Sequence, residues 1–271
     1  MKLSDVLSLL KENKTAEMQI LIEETLGISK TYMLTHPEAE IDKAKWDELI
    51  EKMAQLKEGR PLQYILGFWE FLGRKFLVGE GVLIPREDTG AVAELAQDFL
   101  NQRDEAVFAD LGSGSGCIAV TLSLSSGAKG YSVERSQEAF YYLEKNLKQA
   151  ENKVEAVLGD MFSKEVLEKL PQLDLVVSNP PYITGEEMQE LSENVKREPR
   201  EALFGGEDGL DYYRKITEIY KNKLKEGGML CFEVGFEQAD AVLEILKKEG
   251  FHSPKEKKDF NGIRRAVSAI K

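Results

Sequence analysis

Beyond about residue 105 the chain alternates between short apolar runs and amphipathic stretches. Strand-type "AVFADL" leads into a glycine-rich turn and a helix. "YSVE" then precedes a helix with Phe140, Leu143 and Leu147 on one face. "VEAVLGD", "LDLVVSN", a helix over about 208–226, "GGMLCFEVG" and a further helix continue the series. Apolar strands separated by helices predict a parallel sheet covered on both faces, because each crossover helix lands on one face. The tail, about 251–271, holds two more strand-type runs with no helix between them, which predicts an antiparallel pair at the edge. The expected fold class is α/β: doubly wound, mostly parallel and seven-stranded, with an antiparallel edge strand.

Residues up to about 60 read as helices only. Leu3, Val6, Leu7 and Leu10 recur at helical spacing, as do Trp46, Leu49, Ile50, Met53 and Leu56. Between the two regions, Phe68–Phe71 and Arg74–Val78 are short β-type runs separated by Leu72-Gly73, the pattern of a hairpin. "PREDTGAVAELAQDFL" follows as a helix. The expected organisation is a helical recognition domain at 1–62, a hairpin linker at 63–84 and a catalytic domain at 85–271.

A net charge of −12 argues against nucleic acid as the main partner, since phosphate-binding proteins carry basic faces. No apolar run approaches the roughly 20 residues of a membrane helix. Met1-Lys2-Leu3-Ser4-Asp5 does not open like a signal peptide. The two cysteines, Cys117 and Cys231, lie in apolar segments and read as core residues of a cytoplasmic protein. With only two histidines and no cluster of ligand residues, no metal site is expected.

The chemistry begins at Asp110-Leu111-Gly112-Ser113-Gly114-Ser115-Gly116, between the first strand of the sheet and its helix. Glycines there let the backbone turn tightly and bring N–H groups close to a ligand at the positive end of a helix. Glu134 ends the next strand, where a carboxylate can accept hydrogen bonds from ribose hydroxyls, and Ser136 is positioned to cap the following helix. Dinucleotide folds use G-x-G-x-x-G to hold a pyrophosphate. The spacing here, G-x-G-x-G after Asp110, instead resembles the class I S-adenosylmethionine-dependent methyltransferases. In those, the loop faces the methionine part of a phosphate-free cofactor. Met161, at the end of the third strand, is placed to offer an apolar face to the adenine.

After the fourth strand comes Asn179-Pro180-Pro181-Tyr182. Proline fixes its own φ and forces the preceding residue into extended geometry. The two rings therefore preset the Asn179 side-chain oxygen and the Pro180 carbonyl as paired acceptors for the two hydrogens of an –NH₂ group. A planar amide or aryl amine is a poor nucleophile until its delocalised lone pair is drawn out. Gripping both N–H bonds does so, and Tyr182 can pack on the planar face. Transfer then needs positioning and electrostatics rather than a strong base. The stretch fits two substrates: the exocyclic amine of adenine in nucleic acid, and the side-chain amide of glutamine in a protein.

Across nearly its whole length the chain resembles the HemK family, the glutamine-N5 methyltransferases that modify the Gly-Gly-Gln loop of peptide-chain release factors. "GRPLQYILGFWEFLGRKFLV", "GVLIPRED", "DLGSGSG", "SNPPYI", "EPREALFGGEDGLDYYRKI" and "GGMLCFEVG" carry the likeness. The resemblance implies S-adenosyl-L-methionine as cofactor and S-adenosyl-L-homocysteine as product. It implies cofactor contacts at Gly112, Ser113, Gly114, Ser115, Gly116, Glu134, Met161 and Asn179. Glutamine contacts fall on Asn179, Pro180, Pro181 and Tyr182, with Asn179, Pro180 and Tyr182 catalytic and Pro85 and Arg86 bordering the pocket. The expected partner is a release factor met by a monomer, with no direct nucleic acid and no membrane. Where the family reads Pro-Arg-Pro-Glu-Thr-Glu, this chain has Pro85-Arg86-Glu87-Asp88-Thr89-Gly90. Glu198 and Arg200 stand in a polar loop able to close over the glutamine or to remain a solvated ion pair. Glu207 and Asp208 either join the site or favour a helix N-terminus.

Overall fold

The computed structural model describes residues 1–192 and 195–271. It divides into two compact units, residues 1–68 with a short segment ending at Arg197, and Trp69–Ser192 with Glu198–Lys271.

The first unit is helical: α1 (Leu3–Glu12), α2 (Ala16–Leu26), α3 (Lys30–Thr35), α4 (Lys43–Lys57) and α5 (Leu62–Leu66). The hydroxyls of Thr15 and Ser29 accept the Met18 and Tyr32 N–H groups and so start α2 and α3. Leu3, Val6 and Leu10 of α1 and Leu49 and Met53 of α4 are buried, as their spacing predicts. Ile50 departs from that pattern: it is 41% exposed, because one stripe of α4 suffices to cover its neighbours.

β1 (Phe68–Phe71) and β2 (Arg74–Leu77) form the expected hairpin. Its two turn residues, Leu72 and Gly73, both have positive φ, 46° and 77°, the twist a two-residue connection requires. The next stretch is shorter in helix than its sequence suggests. Pro85 and Arg86 stay outside, Glu87–Thr89 form a single 3₁₀ turn, and α6 runs over Gly90–Leu100.

The second unit continues with β3 (Val107–Leu111), α7 (Cys117–Ser126), β4 (Lys129–Glu134), α8 (Gln137–Gln149), β5 (Val154–Leu158) and α9 (Lys164–Lys169). β6 (Leu173–Ser178), α10 (Glu187–Glu190), α11 (Asp211–Tyr220), β7 (Leu224–Glu233), α12 (Ala239–Lys248), β8 (His252–Lys258) and β9 (Arg264–Ile270) complete it. α11 ends six residues before the expected 226. The turn at Lys221–Lys223 returns the chain to the sheet, where Leu224 pairs with Leu173.

The seven strands lie in the order β5-β4-β3-β6-β7-β9-β8. All neighbours are parallel except β9, which runs antiparallel to both β7 and β8. Period-two alternation divides the core in two. Phe108, Leu175, Val177 and Cys231 face α6, α7 and α8, while Ala109, Val176, Leu230 and Phe232 face α11 and α12. Strand order reverses between β3 and β6, and an open α/β sheet leaves its crevice at such a point, beyond the strand ends. Cys117 and Cys231 are both buried, and burial pushes the Cys117 thiol up to about 12. Among the described residues no helix is long and apolar enough to cross a membrane.

Candidate active site

The chain leaves β3 at Leu111 and must reach the start of α7 at Cys117 within five residues. Gly112, Gly114 and Gly116 achieve this with φ of 71°, 54° and 80°, a region that side chains resist. A Cβ on Gly116 would lie 2.6 Å from Leu143 Cδ1, so packing as well as conformation requires glycine there. From below, Asn146 braces the turn. Its amide donates to Ser115 O at 2.8 Å and to Leu77 O at 3.0 Å, and its oxygen accepts from Leu77 N at 2.8 Å.

β4 delivers Glu134 beside this turn. Its carboxylate accepts the N–H groups of Gly114 at 2.9 Å and of Arg135 and Ser136 at 2.8 Å each. A carboxylate has about four acceptor positions. One therefore remains, on Oε2. Ser136 caps α8 by accepting from Ala139 N at 3.2 Å.

β6 delivers Asn179 from the other side of the strand reversal. The tandem prolines stop the strand, and the chain is then held against residues 203–205: Ile183 N donates to Leu203 O and Gly205 N to Ile183 O, both at 2.9 Å. A Cβ on Gly205 would stand 2.6 Å from Pro181 O and 2.7 Å from Tyr182 Cα. The glycine pair in "ALFGGEDG" is thus a matter of close backbone approach. Gln238 anchors the same segment by donating to Tyr182 O at 2.9 Å.

Between these elements lies a cleft of about 530 Å³, in the range of small-molecule sites. Gly112, Ser113, Gly114, Ser115, Glu134, Met161, Asn179, Pro181, Pro85 and Arg86 all reach its wall. Gly116, Pro180 and Tyr182 are not on that wall: Gly116 packs on Leu143, Pro180 is buried, and Tyr182 packs against the α11 and α12 core. Met161 extends under the turn, its Cε 3.5 Å from where a Gly112 Cβ would be. Phe162, tilted against Tyr212 at 5.9 Å, adds an aromatic wall not anticipated from the sequence.

Several buried acids surround the cleft. Burial pushes the Asp110 carboxyl up to about 7, and neither of its oxygens has a hydrogen-bond partner of normal geometry. Glu233, 1% exposed at the end of β7, is pushed up to about 7 by the same cause. Glu198, whose side chain is 2% exposed, pairs with Arg86 on the cleft wall and is not a solvated surface group. Burial raises its carboxyl more than Arg86 lowers it. Arg200 is exposed and sits over the Phe204 ring at 4.9 Å. Glu207 and Asp208 are also exposed, and Asp208 accepts from Leu210 N at 3.1 Å and pairs with Arg214 where α11 begins. Among the described residues no cluster of metal-ligating side chains exists.

Thr89 and Glu233 were not singled out from the sequence. Glu233 does carry a signal there, a lone acid closing the apolar run "GGMLCFE".

Residues 3–67 match the profile of the PrmC N-terminal domain, and residues 85–208 that of the methyltransferase small domain. The chain is 36% identical to the release factor glutamine methyltransferase of Clostridium acetobutylicum, over 100% of this chain and 99% of that protein. The chain belongs to the release factor glutamine methyltransferase family. A second member, from Bacillus cereus, is 36% identical over 97% of this chain and 95% of its own length. Solved structures at lower identity share the family's fold. A methyltransferase from Pyrococcus furiosus has a TM-score of 0.57 at 18% identity, covering 85% of this chain and 99% of its own. The hMettl16 catalytic domain in complex with a MAT2A 3'UTR hairpin has a TM-score of 0.59 at 14% identity, covering 95% and 92%. These two are evidence of fold alone.

Proposed function

We propose that the chain transfers a methyl group from S-adenosylmethionine to the side-chain amide nitrogen of the glutamine in the Gly-Gly-Gln loop of release factors. The observation that carries this reading is the position of Asn179. It lies on the cleft wall shared by the glycine turn and Glu134, with its Nδ2 turned to Thr89 at 3.4 Å.

The residues present fit the cofactor. Gly112–Ser115 would border its methionine part, Glu134 would take one ribose hydroxyl on its open acceptor position, and Met161 and Phe162 would flank the adenine. Bound there, S-adenosylmethionine supplies a methyl group activated by an adjacent sulfonium. The chain's own residues do the rest. Asn179 Oδ1, on the cleft wall, accepts one amide hydrogen. The Pro180 carbonyl, between the wall residues Asn179 and Pro181, would take the other. Tyr182, next beyond Pro181, would support the planar face once the substrate reaches past that wall. Pro180 and Pro181 remove the freedom that would otherwise blur this geometry. No side chain has to take a proton before transfer.

The helical unit, whose residues match the PrmC N-terminal domain profile, would recognise the release factor. A net charge of −12 suits a partner that itself binds RNA. The test is radiolabelled S-adenosylmethionine offered with a release factor, with the same factor carrying Gln→Ala in its loop, and with DNA. Label in the intact factor alone supports the proposal, and label in DNA alone contradicts it.

A further inference from the structure

The loop from β7 to α12 runs against the Asn179–Tyr182 segment. Val234 N donates to Arg265 O at 2.9 Å, and the chain then turns sharply, closed by Gln238 N donating to Gly235 O at 3.2 Å. Gln238 staples this turn to its neighbour. Its Oε1 accepts from Gly235 N at 3.1 Å, and its Nε2 donates to Tyr182 O at 2.9 Å. The packing is close: a Cβ on Gly235 would lie 2.9 Å from Tyr182 Cδ2, and one on Gly209 would lie 2.4 Å from Tyr182 O and 2.5 Å from Gln238 Nε2.

Two features of the turn work against stability. Glu237 has a φ of 64°, in the left-handed region that residues with a Cβ resist. Phe236, beside it on the same turn, is 64% exposed. A single exposed phenylalanine is ordinary on a protein surface. One held on a strained turn is not, because strain persists only where the surroundings impose it, and such turns gather at ligand clamps. Here the imposing contacts are those of Gln238, and they lead to Tyr182.

We propose that Phe236 is a docking residue for the release-factor loop, its ring covering the main chain of the two glycines that adjoin the methylated glutamine. This inference rests on the glutamine-methylation reading above, which brings that loop to Asn179 and Tyr182. The Phe236 turn is continuous with that segment, so it borders whatever stands next to the glutamine. Glycine peptide planes carry no Cβ, and an aromatic face can lie flat on them with their N–H groups against the ring. Phe236 does not touch the reacting atoms.

Phe260 supplies the contrast. It is 97% exposed on the turn between β8 and β9. That turn is closed on itself, by Asp259 N donating to Ile263 O at 2.9 Å and Gly262 N donating to Asp259 O at 3.0 Å.

Phe236→Ala, Phe236→Tyr and Phe260→Ala separate docking from general surface effects. With the full release factor as methyl acceptor, F236A is expected to raise its KM by about 10-fold. The kcat should stay within about threefold and the cofactor Kd within about twofold, because the lost contact is made equally before and during transfer. F236Y keeps the ring, and F260A removes a ring from another turn, so both should stay within about threefold of wild type in KM. In direct binding, changing the first loop glycine of the factor to alanine should bring the wild-type and F236A Kd values together. An unchanged KM in F236A, F236Y or F260A impaired as much as F236A, a cofactor Kd that rises with KM, or a gap in Kd that survives the glycine change would each overturn the inference. Wild-type enzyme that leaves the release factor unlabelled overturns the functional reading itself and the inference with it.

Discussion

Glu134 and Gly114, twenty positions apart, are joined by a hydrogen bond of 2.9 Å from the Gly114 N–H to the Glu134 carboxylate. One acid thus fixes the shape of the glycine turn and still keeps an acceptor position facing the cleft. Removing it costs both contributions. Glu134→Ala is expected to raise the S-adenosylmethionine Kd by about 10- to 100-fold, from the loss of charged hydrogen bonds. Titration calorimetry on a variant that keeps the wild-type circular dichroism spectrum checks this, and an unchanged Kd removes Glu134 from the ribose.

Asn179→Ala deletes one of the two acceptors assigned to the substrate amide. By analogy with the loss of one oxyanion-hole donor, kcat is expected to fall by about 10²- to 10³-fold. Cofactor binding should change far less, since the glycine turn and Glu134 remain. Single-turnover rates alongside cofactor Kd separate the two effects.

Gly205→Ala tests whether the loop after Leu203 sets the position of the Asn179–Tyr182 segment. Its new Cβ would collide with the backbone, 2.6 Å from Pro181 O, and no flexible side chain can yield there. The segment must shift, and a displacement approaching 1 Å costs about 10²-fold in rate. The expectation is a fall in kcat with a smaller change in cofactor Kd.

Asp110 and Glu233 predict an unusual pH dependence of stability. Both are buried, and both folded-state values are raised to about 7 from ordinary values near 4. The folded state therefore binds more protons than the unfolded chain between roughly pH 4 and 7, and stability falls as pH rises through that window. The effect is of the order of a few kcal/mol for the pair. Thermal melts should show a lower Tm at pH 8 than at pH 5, and D110N/E233Q should flatten that difference. The depressed acids Asp208, Asp240 and Asp259 act in the opposite sense, but only below about pH 4, outside the window.

Much of the fold was legible because periodicity is local. The β3–α7–β4 alternation, the Leu72-Gly73 turn and the Ser136 cap are each written within a few residues. The early end of α11 was not, because Leu224 leaves helical pattern to pair with a strand fifty residues away. At the site, residues lying on strand ends could be read in advance: Glu134, Met161 and Asn179 all reach the cleft. What escaped was the layer behind them. Thr89 lies against Asn179 across ninety positions, and the buried Glu198 pairs with Arg86 across 112. No window of sequence holds either pair.

Methyl transfer as proposed needs two oxygens gripping one amide. A structure of the enzyme with S-adenosylhomocysteine and a glutamine-containing release-factor loop measures this directly. It should place the glutamine amide nitrogen about 2.7–3.2 Å from both Asn179 Oδ1 and the Pro180 carbonyl oxygen. A nitrogen lying beyond about 3.5 Å from both contradicts the account.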